Sequence, residues 1–71
     1  MIKLVSTTNA VRLSFLIALL NDAGIQVSIF DANISALEAG IGAFPRRIMV
    51  PSEQLFNAKA LLEAVHEFYD D

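Results

Sequence analysis

Apolar positions change their period along the chain, and each change marks the edge of an element. Residues 2–6 form a short β-type run, after which Thr7, Thr8 and Asn9 offer side chains suited to capping a helix N-terminus. Residues 10–23 then follow helical spacing, and Gly24 sits where a left-handed C-terminal cap is wanted. In that helix Phe15, Leu16, Leu19, Leu20 and Ala23 make one face, Leu13 and Ile17 spill beyond it, and Val11 widens the other side. Residues 25–31 alternate instead, with Ile25, Val27 and Ile29 on one face and Gln26, Ser28 and Phe30 on the other. Residues 45–50 read as another strand, with Ile48 and Val50 toward the core and Arg47 and Met49 opposite. Pro51, Ser52 and Glu53 open a second helix, since proline is tolerated in a first turn and an early glutamate suits the positive helix end. Its apolar stripe takes in Leu55, Ala58, Leu61, Leu62, Val65, Phe68 and Tyr69, leaving Lys59, Glu63 and Glu67 outward. Asp70 and Asp71 add no apolar residue from which to build a further strand.

Residues 32–44 are too many for a tight hairpin, and a single helical turn over 33–39, capped by Asn33 and ended by Gly40, would account for half of them. A strand-helix-strand unit crosses over right-handed, and the third strand most simply returns between the first two. The expectation is one α+β domain over residues 1–71, a β-α-β-β-α plait with a three-stranded, antiparallel-type sheet in order 1-3-2 and both helices on one face. This is a ferredoxin-like arrangement lacking its fourth strand, and it leaves the first strand as an edge that another subunit could extend.

Composition sharpens that picture. At 71 residues and 55% hydrophobic, the chain is richer in apolar side chains than so small a domain easily buries, and self-association is the natural outlet. A net charge of −3 argues against broad nucleic-acid binding, which needs a basic surface. There is no cysteine and a single histidine, so neither thiolate chemistry, a metal site nor a bound cofactor is expected. The most apolar run, residues 13–20, is far short of the ~20 residues of a membrane span. Together with the lack of a signal peptide's apolar segment, this gives a soluble, cytoplasmic expectation.

The stretch Gly40-Ile41-Gly42-Ala43-Phe44-Pro45-Arg46-Arg47 is the most distinctive surface candidate. Gly40 and Gly42 would free the backbone to present N–H groups, while Arg46 and Arg47 supply forked donors for phosphate or carboxylate. The plainer reading has the glycines merely turning the chain and the arginines pairing with Asp31, Glu38 or other surface acids. Alternation turns Arg47 to the open sheet face and Arg46 toward the core side at the strand's start. That open face would carry Lys3, Val5, Gln26, Ser28, Phe30, Arg47 and Met49, a mixture fitting a subunit contact better than a base-stacking platform. Candidate interface residues are Leu13 and Ile17 on the first helix, with Phe30 and Met49 on the sheet. His66, near Glu63, Glu67 and Asp70, reads as a solvated helix end rather than a metal ligand. No nucleophile, base and acid combine into a catalytic motif.

Three segments carry a resemblance: Leu19-Leu20-Asn21-Asp22-Ala23-Gly24-Ile25, Asp31-Ala32-Asn33-Ile34-Ser35-Ala36-Leu37-Glu38 and Gly42-Ala43-Phe44-Pro45-Arg46-Arg47-Ile48-Met49-Val50. Through them the chain resembles a short bacterial family of prokaryotic signal transducing proteins. The resemblance implies a fold related to the PII nitrogen-regulatory proteins, trimeric sensors whose long loop between strands two and three contacts partners. Here the equivalent stretch is residues 32–44, although the PII nucleotide-site residues have no counterpart in this sequence. The expectation is a non-catalytic, self-associating regulatory module whose loop, with Asp31, Glu38, Gly40, Gly42, Pro45, Arg46 and Arg47, binds a small anionic ligand or a protein partner. The alternative is a structural accessory domain docking one dedicated protein through the first helix or the edge strand.

Overall fold

The computed structural model describes residues 1–31 and 45–71. Strand β1 spans Ile2–Thr7, helix α1 Ala10–Asp22, strand β2 Ser28–Asp31 and strand β3 Arg46–Val50, after which a 3-10 turn over Ser52–Gln54 leads into helix α2, Leu55–Ala64. Both strand pairings are antiparallel and the order is β1-β3-β2, the α+β, ferredoxin-like topology expected from the sequence. The turn expected over 33–39 lies outside the described residues. Leu16 and Leu20 of α1, Leu62 and Ala58 of α2, and Val5, Ile48 and Val50 of the sheet are buried together in one core. Both helices therefore share one side of the sheet. Fully burying an aliphatic side chain of this size contributes roughly 1.5–3 kcal/mol.

Strand β1 departs from simple alternation. Ile2 faces Val50 and Lys3 faces Met49, but the next pair is Val5 with Ile48, so Leu4 is an extra residue. An inserted residue reverses the phase of a strand, and here it lets the consecutive Leu4 and Val5 both reach the core. Val5, expected on the open face, is therefore buried, and Ser6 stands on that face beside Arg47.

Helix α1 is also rotated from the expected setting. Leu13, Leu16 and Leu20 are buried with Ile17 and Leu19 packed against the core, whereas Phe15 is 49% and Val11 79% exposed. Leu13, read from sequence as an interface residue, belongs to the core. A helix that is apolar nearly all round offers no polar face to set its rotation, so the sheet and the inward-facing Arg12 decide it. At its N-terminus the Asn9 side-chain oxygen accepts the N–H groups of Val11 (2.9 Å) and Arg12 (3.1 Å), the cap expected of the Thr7-Thr8-Asn9 run.

Both helices end in the same hydrogen-bond pattern. After α1, Gly24 N–H donates to Asn21 O and Ile25 N–H to Leu20 O, each at 3.0 Å, with Gly24 at φ +78°. After α2, His66 N–H donates to Glu63 O at 3.1 Å and Glu67 N–H to Leu62 O at 2.8 Å, with His66 at φ +60°. These paired bonds define a left-handed helix stop, which normally employs glycine. Helix α2 thus ends at Ala64, and Phe68 and Tyr69, expected on its apolar stripe, lie beyond the break. Residues 25–27 precede the β2 ladder because Gln26 N–H donates to Gln54 Oε1 (2.9 Å), while Gln54 Nε2 donates to Gly24 O (3.2 Å). One glutamine amide thereby ties the end of α1 to the start of α2.

Past the break, the chain returns along β1. Ser6 N–H donates to Asp70 Oδ1 at 2.9 Å, and Asp71 N–H donates to Ser6 O at 3.0 Å. The edge of β1, expected to be unpaired, is occupied at Ser6 by the protein's own tail.

Candidate functional site

The side of the sheet away from the helices follows from the strand register. One row crosses the sheet as Ser6, Arg47 and Phe30, and the next as Lys3, Met49 and Ser28. Phe30 is 46% exposed, Arg47 and Lys3 are exposed, and Met49 is half-buried. Phe30 and Met49 give this face an apolar centre, and Arg47 stands beside Phe30 as its cross-strand neighbour. Arg47 makes no ion pair among the described residues. Lys3 is tied back to Asp70, its Nζ donating to Oδ2 at 2.8 Å.

Of the residues read from the basic stretch, Pro45 is exposed at the entry to β3 and Arg46 is exposed in the register position between Thr7 and Asp31. Arg46 already has an interaction partner. Glu38, Gly40 and Gly42 lie outside the described residues. The structure brings Arg46 and Arg47 to successive positions of the central strand, on opposite sides of the sheet. Ile17, a candidate interface residue on α1, is half-buried against the core. His66 is exposed at the left-handed stop after α2, and among the described residues no group of three His, Cys, Asp or Glu side chains is placed to hold a metal ion. No described helix is long and apolar enough to cross a membrane.

A second polar cluster was not anticipated from the sequence. Arg12 is only 8% exposed, and its guanidinium donates from Nε to Glu67 Oε1 (2.7 Å), from Nη1 to Asp71 Oδ1 (2.9 Å), and from Nη2 to Glu67 O (2.7 Å) and Tyr69 O (2.8 Å). Its charged carbon lies 4.0 Å from the centroid of the Tyr69 ring, within cation–π reach. Burial works against the Arg12 charge, yet the hydrogen bonds to Glu67 and Asp71 outweigh it and raise its pKa above the usual guanidinium value. The Lys3 ammonium, followed by the Ser6 N–H, holds the Asp70 carboxyl below the usual carboxylate range. The Thr7 hydroxyl, with the Arg12 guanidinium, does the same for Asp71. The sequence signal was present as a lone arginine inside an apolar helix and three acids after residue 66. Nothing in the spacing of residues 12 and 67–71 announces that they meet.

A family model described as "Putative prokaryotic signal transducing protein" matches residues 1–66. No curated protein and no solved structure matches the chain.

Proposed function

The chain belongs to the prokaryotic signal transducing protein family, and from that premise we propose that it is a non-catalytic regulatory module acting through the open face of its sheet. The observation that carries this reading is the exposed Phe30–Arg47 pair beside Met49, an aromatic side chain on the edge strand next to a central-strand cation without an ion-pair partner among the described residues. Aromatic, methionine and arginine side chains are the types enriched where proteins meet. Residues 32–44, which join β2 to β3, would act with Arg46 and with Arg47 at the rim of the self-association face on an anionic ligand or an acidic partner. Each arginine, on its own side of the central strand, offers a forked donor that suits a carboxylate or phosphate group. A thermal-shift screen against nucleotides and anionic metabolites tests the ligand half, because a ligand that binds only the folded chain raises its apparent stability. The expected result is a shift with an anionic compound that is lost in the Arg46→Ala/Arg47→Ala variant. A shift of equal size in wild type and variant would remove the arginines from the site.

A second reading has one observation in its favour. Val11 and Phe15 are exposed one turn apart on the outer side of α1, a position from which a dedicated protein could be docked. A chain that stays monomeric at high concentration while retaining a partner through this helix would favour that structural role.

A further inference from the structure

Residues 67–71 fill a site that the rest of the chain builds. Strand β1 contributes the N–H and C=O of Ser6 and the Lys3 ammonium, Thr8 Oγ1 donates to Asp71 O at 3.2 Å, and α1 contributes the Arg12 fork. The occupant complements it in charge, being an acidic segment bent at Tyr69 with Glu67, Asp70 and Asp71 each bonded to a donor. One backbone bond to Ser6 O and one side-chain bond from Ser6 N–H seat this segment on the β1 edge, and the segment is supplied by the same chain.

From this geometry we infer that the β1–Arg12 site also accepts residues 67–71 of a second copy, giving a reciprocal tail-exchanged dimer. The contacts made in exchange are those already made within one chain, so no new complementarity is required. The connection to the tail favours release. His66 sits at φ +60°, a left-handed conformation unfavourable for a non-glycine residue, and an extended path through residue 66 removes that strain. This contact is separate from the open sheet face and stands or falls independently of it.

The chain lacks cysteine, so a disulfide can report the exchange. A Thr8→Cys chain and an Asp71→Cys chain, mixed at about millimolar concentration to compete with the tethered tail, are oxidised and the crosslinked species quantified. Random collision makes the mixed crosslink equal to the sum of the two like-with-like crosslinks. Exchange predicts a mixed crosslink several-fold above that sum, rising further when both chains carry His66→Val, which disfavours the left-handed hinge. The yield should be unchanged by Phe30→Asp, which disrupts only the sheet face. A mixed crosslink no more abundant than the like-with-like sum, or one that does not rise with His66→Val, overturns the inference. Loss with Phe30→Asp would assign the crosslink to sheet-face association and overturn it equally.

Discussion

Arg12 joins the start of α1 to the tail by hydrogen bonds to two carboxylates and two carbonyls, and it does so almost without solvent. Removing one partner of a buried pair leaves the other groups desolvated and unmatched, which is costlier than the pair's net contribution. Because Glu67 and Asp71 are themselves partly exposed, Arg12→Ala should cost about 2–3 kcal/mol, the lower part of the range for such losses. Arg12→Lys should recover only part of it, since an ammonium cannot reproduce the fork. Urea unfolding of the variants measures both, and a wild-type midpoint for Arg12→Ala would reduce the cluster to a surface ion pair. His66 gives a prediction of opposite sign. Relief of its left-handed backbone, less the extra freedom of glycine when unfolded, should make His66→Gly more stable by about 0.5–1 kcal/mol. An unchanged or lower midpoint would mean that the side chain does more than occupy the stop.

Element order was legible because the hydrophobic period changes at each boundary, and Asn9 and Gly24 mark the two ends of α1 as their chemistry requires. Three features were not legible. The bulge at Leu4 depends on pairing with β3, and a single strand read alone shows only its own alternation. The rotation of α1 is set by packing, because the helix is apolar on nearly every side. The stop at His66 has no glycine to signal it, and the apolar stripe of α2 runs straight past it. That stop turns the tail onto β1 and makes the tail sensitive to pH. The Asp70 and Asp71 carboxyls are held below their ordinary values in the folded chain, so their contribution is fully present above an unfolded pKa of about 3.9. It is lost as pH falls through the lower folded values. Amide exchange should show Asp71 N–H and Ser6 N–H losing protection below about pH 4, ahead of the core amides of Leu16 and Leu62. Simultaneous loss of all four would mean that the tail is not a separable element.

At the scale of the whole molecule, both described helices pack on one side of the sheet, and the proposed working surface is the other side, where Arg47 stands beside Phe30. The alternation of residues 45–50 turns Arg47 and Met49 away from the helices as the sequence implied, whereas Val5, assigned to the same side, is buried, and the sequence could not tell which apolar residues of α1 remain outside. Phe30 lies on the edge strand β2, half-exposed and outside the core cluster, so Phe30→Asp should leave the fold intact while abolishing association through this face. Sedimentation equilibrium of wild-type and Phe30→Asp chains over a wide concentration range is the most direct test. Below the millimolar range in which tails exchange, the account predicts a concentration-dependent oligomer for the wild type and a loss of that association in the variant at unchanged thermal stability, whereas a wild-type chain monomeric throughout, or a variant that associates equally well, would contradict it.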